Sequence, residues 1–184
     1  MIPGVAAQGL SGSELVNALR RGGYVIVMRH ASSPREVPDA RTAQPDNTTR
    51  ERQLDEAGRA ASRAMGEALQ RLAIPITEVF TSPTYRARET VRLLGFTTPT
   101  LVDELGDGGQ SMRGASSVQA QWLQRIVNTI TAGNWLVVTH QPNITAAFPQ
   151  LSNVADGESA VFRREAGSAS VVARVRIDDW PRLP

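Results

Sequence analysis

The chain has 184 residues, 41% hydrophobic and 21% charged, which is typical of one globular domain spanning residues 1–184. All 20 basic residues are arginine and no cysteine is present, which excludes cysteine nucleophiles, thiolate metal sites and lysine Schiff bases. The net charge is only +2 and the arginines form no basic run, so we expect no nucleic-acid partner. No apolar stretch approaches the ~20 residues of a membrane span. Any imidazole chemistry must use the two histidines, His30 and His140.

Predicted strands and helices alternate along most of the chain. The strands are apolar or alternating runs at 24–28, 78–81, 135–139, 160–163 and 170–177. The helices have apolar residues at helical spacing and lie at 11–21, 55–72, 83–94 and 118–130. This alternation predicts an α/β domain with a largely parallel sheet, in which the last strand lies at an edge.

Two helix starts carry capping signals, and one long polar segment separates the first strand from the second helix. Ser11 and Glu14 have the spacing of a capping box, and Ser82 is predicted to cap the helix that Pro83 begins.

Residues 31–52 are rich in Pro, Asp, Thr and Arg and are predicted to form a long loop. Loops of this length in compact domains are usually functional or disordered.

Residues suited to chemistry converge on one end of the predicted sheet. Arg29 and His30 follow the first strand, His140 follows the 135–139 strand, and Arg86 lies in the first turn of the helix after the second strand. In open α/β sheets, ligands bind beyond the carboxyl ends of the strands. We therefore expect two histidines and two arginines at a single binding site.

This combination of side chains suits a phosphoryl group. The planar arginine fork matches phosphate oxygens bidentately and keeps its charge. A neutral histidine can attack phosphorus and form a covalent intermediate, and nearby arginines disfavour the imidazolium form. Neither a zinc-protease motif nor a P-loop is present, so we expect no metal and no cofactor.

Five segments that include these residues are YVIVMRHA at 24–31, RQLDEAGRAA at 52–61, TSPTYRARET at 81–90, VVTHQPNI at 137–144 and GESAVF at 157–162. In these segments the chain resembles the histidine phosphatase superfamily, whose fold is phosphoglycerate-mutase-like. The first segment has Ala31 where glycine is commoner in the family. The resemblance implies a three-layer α/β/α sandwich with a mostly parallel central sheet.

The resemblance implies a metal-independent phosphatase that hydrolyses phosphate monoesters through a phosphohistidine intermediate. His30 would attack phosphorus, and water would then release phosphate from it. Arg29, Arg86 and His140 would hold the phosphoryl oxygens, with His140 also counted among the catalytic residues. The ligand would be a small phosphorylated substrate or inorganic phosphate.

For three site assignments the sequence leaves an alternative open. The carboxylic acid that the family uses to protonate the leaving oxygen is assigned to Glu104, with Asp103 as its competitor. Arg88 is the alternative to Arg86. Arg50 and Arg52 are either contacts for a second anionic group of the substrate or solvated arginines; these two residues end the 31–52 loop.

Two other functions compete with the phosphatase. A phosphoglycerate-mutase-type phosphoryl transfer would need a carboxylate site and protection of phospho-His30 from water. A phosphate- or phosphoprotein-binding module without turnover would not need a free imidazole nucleophile. Substrate selectivity is expected in residues 31–52 and 103–116, although neither the natural substrate nor the oligomeric state can be inferred from them.

The two ends of the chain also resemble small exported bacterial members of the superfamily. These segments are LVNALRRGGYVIVMRHA at 15–31 and DDWPRLP at 178–184. They predict a periplasmic or exported protein whose leader is absent from this chain, with a cytoplasmic location as the alternative.

Overall fold

The computed structural model describes residues 9–34, 52–107, 115–130 and 132–184. Within them a six-stranded sheet forms the centre of the molecule. Residues 35–51 of the predicted loop and 108–114 of the second predicted selectivity segment lie outside the described residues. The strands are β1 Tyr24–Arg29, β2 Glu78–Thr81, β3 Thr100–Leu101, β4 Asn134–Thr139, β5 Ser159–Glu165 and β6 Ser168–Val175.

The sheet is mixed, and its parallel part contains the strands that carry the predicted site. The strand order is β3-β2-β4-β1-β5-β6. β1 is parallel to β4, β4 to β2 and β2 to β3, whereas β5 is antiparallel to both β1 and β6. The prediction of a mostly parallel sheet is therefore confirmed, and β6 lies at an edge as its alternating pattern indicated.

Helices cover both faces of this sheet. β1 is buried on both sides because Ile26 and Met28 pack into one apolar cluster and Val25 and Val27 into the other. The helices are α1 Gly12–Arg21, α2 Glu56–Arg71, α3 Tyr85–Leu93, α4 Ser117–Thr129 and α5 Gln141–Ala147. The first cluster includes residues of α1, α2 and α3, and the second includes residues of α4 and α5. This layering confirms the predicted α/β/α sandwich.

The register of the parallel strands aligns their carboxyl ends. Arg29 of β1 lies beside Thr139 of β4, and Thr81 of β2 lies beside Val138. The pairing extends past β1, since the His30 N–H donates to the Thr139 carbonyl at 3.0 Å. Residues that follow β1, β2 and β4 therefore meet at one edge of the sheet.

The helix starts differ in part from the predicted ones. Ser11 precedes α1, but its side chain makes no capping hydrogen bond. α3 begins after Thr84 rather than after Ser82, and the Thr84 side chain makes no capping hydrogen bond. A complete capping box joins Ser116 and Gln119 at the start of α4, where no box was predicted. None of the helices in the described residues combines the length and the hydrophobicity that a membrane span requires.

Candidate active site

His30 lies directly after β1 with only 3% of its surface exposed. Its backbone N–H is held by Thr139, and its carbonyl accepts from the Gly157 N–H at 2.9 Å. Ring Nδ1 lies 2.8 Å from the Ala31 carbonyl oxygen, which can only accept, so Nδ1 carries the proton. In the neutral ring Nε2 is therefore unprotonated, and the Nε of Arg86 donates to it at 3.2 Å.

His140 lies directly after β4 and faces His30. The two ring centroids are 5.2 Å apart, and His140 is 2% exposed. Its Nδ1 lies 3.0 Å from Nη2 of Arg86, and its Nε2 lies 2.9 Å from Oγ of Ser82. One ring nitrogen thus faces the guanidinium, while the other faces a buried hydroxyl.

Arg86 bridges the two histidines from the first turn of α3. The residue is buried, with Nε directed at His30 and Nη2 at His140. Its backbone carbonyl accepts from Oγ1 of Thr90 at 2.8 Å, and the same Oγ1 accepts from the Ala31 N–H at 3.1 Å. Thr90 therefore connects α3 to the segment that follows β1, which fixes Arg86 relative to the His30 ring.

Two further arginines line the same space. Arg29 donates from Nη1 to the Val154 carbonyl at 2.9 Å, and its Nη2 lies 2.6 Å from Oδ1 of Asp156. Arg52 donates from Nε to Oγ of Ser33 at 2.6 Å. Because both guanidinium groups are held by protein acceptors, they are preorganised to face an anion.

Burial and positive charge keep both histidines neutral. Desolvation, followed by the neighbouring His140 and Arg86, lowers the pKa of His30 well below its ordinary value. Desolvation, followed by Arg86 and Arg52, lowers the pKa of His140 well below its ordinary value as well. At neutral pH the site therefore contains two neutral imidazoles among fixed arginine charges.

These side chains surround a small pocket of about 170 Å³. A groove of about 550 Å³ runs along the outer side of α3, but neither histidine lines it. The smaller pocket is the better candidate because it combines neutral imidazoles with guanidinium groups. Its described lining consists of Arg29, His30, Arg52, Arg86, Asp107, His140, Gln141 and Pro142.

Four predicted site residues meet at this pocket, namely Arg29, His30, Arg86 and His140. Arg52 also lines the pocket, whereas Arg50 lies outside the described residues. Arg88, the alternative to Arg86, is exposed and lines the larger groove. The placement therefore favours Arg86 over Arg88 as the partner of the histidines.

The carboxylates are arranged differently from the prediction. Glu104 belongs to a 3-10 turn, and neither Glu104 nor Asp103 is among the residues that line the pocket. Asp107, three positions beyond Glu104, lines it instead and forms an ion pair with Arg86. Oδ2 of Asp107 also lies 3.7 Å from Nδ1 of His140. The structure thus favours Asp107 as the carboxyl that can reach a bound substrate.

Asp107 is positioned by the residue before it. The Gly106 carbonyl accepts from Nδ2 of Asn143 at 2.9 Å and from Nε2 of Gln119 at 2.6 Å. These bonds anchor the segment beside α5, so that the next residue enters the pocket. The sequence shows several acids near a glycine-rich stretch, but it contains no periodicity that would single out Asp107.

No cluster of metal ligands accompanies the pocket in the part of the chain that the structure describes. There, no group of three or more His, Cys, Asp or Glu side chains is placed to hold a metal ion. The groups that face the pocket are mainly guanidinium and imidazole nitrogens. They are suited to binding an anion directly.

Residues 25–107 match the family model of the histidine phosphatase superfamily (branch 1). The matched range includes Arg29, His30, Arg86 and Asp107, whereas His140 lies beyond it. No curated protein matches the sequence.

Solved structures with the same fold include three that cover most of this chain. The protein histidine phosphatase SixA, complexed with tungstate, has 20% identity and a TM-score of 0.62, over 85% of this chain and 98% of that one. A phosphoserine phosphatase mutant from Entamoeba histolytica, complexed with phosphoserine, has 10% identity and a TM-score of 0.59, over 82% and 95%. A SixA-type protein from Agrobacterium tumefaciens has 18% identity and a TM-score of 0.55, over 83% and 97%.

The family match over residues 25–107 and the shared fold show that this chain is similar to the histidine phosphatase superfamily and its phosphoglycerate-mutase-like structures. This confirms the family resemblance predicted from the sequence. At the level of the family, the match supports phosphatase activity.

Proposed function

We propose that this protein is a metal-independent phosphatase that hydrolyses phosphate monoesters through a phosphohistidine intermediate on His30. The observation that carries the proposal is the pairing of a neutral, buried imidazole with a guanidinium group. Nδ1 of His30 is held by the Ala31 carbonyl, so the lone pair of Nε2 faces the pocket 3.2 Å from Nε of Arg86. An unprotonated nitrogen beside a fixed cation suits attack on an anionic phosphoryl group.

The arginines bind the phosphoryl oxygens and stabilise the charge that spreads over them during transfer. Arg86 releases the His30 lone pair and turns its N–H groups to the substrate, and Arg29 and Arg52 supply further donors from the pocket wall. The similar SixA protein was solved with tungstate, a tetrahedral oxyanion that resembles phosphate in shape and charge. That complex supports an oxyanion as the ligand.

In the first step Nε2 of His30 attacks phosphorus, and the bond between phosphorus and the ester oxygen breaks. Asp107 protonates the departing oxygen, so that the alcohol leaves neutral. The Asp107 carboxylate contacts Arg86 in the structure, and the incoming ester displaces it from that ion pair. The ester binds as its monoanion and gives its phosphate proton to Asp107, which then passes it to the departing oxygen.

In the second step water attacks the phosphorus of phospho-His30. The Asp107 carboxylate accepts a proton from the water, the bond between phosphorus and Nε2 breaks, and His30 returns to its neutral form. The phosphate takes the proton from Asp107 and leaves the pocket as its monoanion, and the Asp107 carboxylate pairs with Arg86 again. Each group ends in its starting state, as turnover requires.

The decisive experiment is hydrolysis of a chromogenic aryl phosphate, with EDTA present, by the wild type and by His30→Ala. We expect turnover by the wild type and none by the variant, with both folded by circular dichroism. Denaturation of the wild type during turnover of a radiolabelled ester should also trap an acid-labile, alkali-stable phosphoryl label. The proposal fails if EDTA abolishes activity, or if His30→Ala keeps either the turnover or the label.

A phosphate-dependent rise in the melting temperature without any turnover would instead favour the binding-module alternative. Transfer of the label from phospho-His30 to a second substrate hydroxyl, rather than to water, would favour the mutase alternative. A panel of small phosphate esters distinguishes these outcomes, because hydrolysis releases free phosphate whereas mutase activity does not.

A further inference from the structure

The nitrogen of His140 that faces away from the pocket contacts two buried hydroxyl groups. Its Nε2 lies 2.9 Å from Oγ of Ser82 and 3.3 Å from Oγ1 of Thr84. The two hydroxyl oxygens are 3.1 Å apart, and the Thr84 N–H donates to Oγ of Ser82 at 3.2 Å. Ser82 and Thr84 are both buried, so these groups must satisfy one another without solvent.

The donor and acceptor properties of the neighbouring groups determine which atoms of His140 and Ser82 carry protons in the structure. Nη2 of Arg86 can only donate, so the nearby Nδ1 of His140 must accept and carries no proton. The proton of the neutral ring is then on Nε2, which donates to Oγ of Ser82. Because Ser82 also accepts from the Thr84 N–H, its own proton is directed to Oγ1 of Thr84.

A bound phosphoryl group requires the proton of His140 on the other ring nitrogen, Nδ1. Its oxygens are acceptors, so Nδ1 of His140 can bind one of them only when Nδ1 carries a proton. The lone pair of the neutral ring is then on Nε2, and it needs a buried donor. The Ser82 hydroxyl can provide that donor by rotating its proton from Thr84 to Nε2, while its oxygen still accepts the Thr84 N–H.

We propose that Ser82 is a positioning residue that lets neutral His140 change tautomer when the phosphoryl group binds. Ser82 accepts from Nε2 in the structure and donates to it once a phosphoryl group is bound. The two tautomers interconvert by proton exchange with water, and the ligand selects the one with the proton on Nδ1. The ring therefore changes from acceptor to donor without gaining a net charge.

The contrast with His30 shows why a hydroxyl is needed at this position. Nδ1 of His30 faces the Ala31 carbonyl, which can only accept, so that ring is restricted to the tautomer with a free Nε2. A nucleophile needs this fixed state. A carbonyl in place of the Ser82 hydroxyl would restrict His140 in the same way, with its proton on Nε2 and none on Nδ1 to offer to a phosphate oxygen.

The proposal rests on the proposed function only in assuming that the pocket binds phosphate, so the first test uses inorganic phosphate and needs no turnover. With two histidines in the chain, 15N-labelled protein gives two resolvable imidazole spectra at neutral pH. We expect His140 to carry its proton on Nε2 in free protein and on Nδ1 in the phosphate complex. His30 should keep its proton on Nδ1 in both, and it serves as an internal reference.

Variants then test whether Ser82 is responsible. In Ser82→Ala the weaker Thr84 contact is left to satisfy Nε2, so we expect about tenfold weaker phosphate binding and about tenfold lower kcat/KM. His140 in that variant should keep a substantial population with the proton on Nε2 at saturating phosphate. Ser82→Thr, which keeps a hydroxyl, should restore the Nδ1 tautomer. The matched control is Ser62→Ala, a buried serine that donates to Gly58 at 2.7 Å and should change neither measurement.

The outcomes separate this proposal from the proposed function. An unchanged or doubly protonated His140 in wild type with phosphate overturns the tautomer change, whatever the catalytic activity. A wild-type spectrum in Ser82→Ala overturns the role of Ser82 and leaves the phosphatase untouched. The expected spectra without hydrolysis of the aryl phosphate support the tautomer change and overturn the proposed function alone.

Discussion

Asn134 and His140 mark the two ends of one strand, and both are buried polar side chains. Asn134 begins β4, and its amide is fully used by the protein. Oδ1 accepts from the Tyr24 N–H at 3.3 Å, while Nδ2 donates to the carbonyls of Leu19 and Pro75 at 2.7 and 2.8 Å. The amide thus joins the end of α1, the start of β1 and the segment before β2.

The opposite end of the strand is arranged for a ligand rather than for the protein itself. His140 and His30 are kept neutral among three arginines, and Arg86 donates to one ring nitrogen of each histidine at the position where a substrate would bind. A buried neutral amide with all its partners stabilises a fold. Guanidinium groups held close together repel one another and keep the buried imidazoles from binding protons, which costs stability. The comparison predicts that changes at one end reduce stability and that changes at the other reduce activity.

The largest effect is expected from Arg86→Ala. This change removes the cation that bridges both histidines, so kcat/KM should fall by about 10³-fold, as for other preorganised charges that stabilise phosphoryl transfer. Arg88→Ala is the matched control, because Arg88 lies two positions further along α3 and is exposed. Steady-state hydrolysis of an aryl phosphate should separate the two variants clearly. Equal losses would contradict the assignment of Arg86.

The next effect concerns stability at the other end of β4. Asn134→Ala leaves two carbonyls and one N–H without their partner, so we expect a loss of about 3 kcal/mol in the free energy of unfolding. Urea denaturation measures this loss, and kcat should be unchanged at temperatures where the variant is folded. Asn17→Ala, at an exposed position in α1, should shift stability by less than about 0.5 kcal/mol. A large loss of kcat in folded Asn134→Ala would show that the two ends are coupled.

The carboxylate assignment can be tested with leaving groups of different basicity. Asp107→Asn should lower kcat/KM for an alkyl phosphate by about 10²-fold, because an alkoxide needs a proton to leave. The loss should be smaller for a nitrophenyl phosphate, whose leaving group is stable as an anion. Glu104→Gln is the control and should match the wild type on both esters. An equal loss on both esters would instead indicate that Asp107 acts only through Arg86.

Much of the fold could be predicted because its central strands are strongly patterned. β1 and β4 are continuous apolar runs, and such runs are typical of strands buried on both faces of a parallel sheet. β3 and α5 were not predicted. β3 has only two residues, both exposed, and the seven residues of α5 are too few to show a clear helical period.

The residues of the candidate site likewise fall into those that the sequence could predict and those that it could not. Arg29 ends an apolar strand, and His30 and His140 directly follow one, so strand prediction alone places them at one edge of the sheet. Asp107 and Arg52 reach the pocket through tertiary contacts of irregular segments, which leave no periodic signal. The role of Ser82 could not be predicted either. A serine before a proline is typical of a helix cap, but the Ser82 hydroxyl contacts His140 instead.

The last predicted effect is a pH dependence of stability that belongs to the histidine end alone. An unfolded histidine has a pKa of about 6.5, and burial first and then the neighbouring charges hold the folded-state pKa of His30 and His140 well below that value. As pH falls below 6.5 the unfolded chain binds protons that the folded chain does not, so the folded state loses stability. Each histidine should contribute a slope of about 1.4 kcal/mol per pH unit, present until its folded-state pKa is reached.

Urea denaturation between about pH 5 and pH 6.5, above the range in which most carboxylates titrate, measures this slope. The buffer must be free of phosphate, because an anion that binds the folded site would add its own stabilisation. His140→Ala should remove one of the two proton contributions, whereas Asn134→Ala should lower stability at every pH and keep the slope. A wild-type slope that His140→Ala leaves intact would mean that His140 is protonated in the folded protein. The tautomer change proposed for His140, which requires a neutral imidazole, would then be wrong.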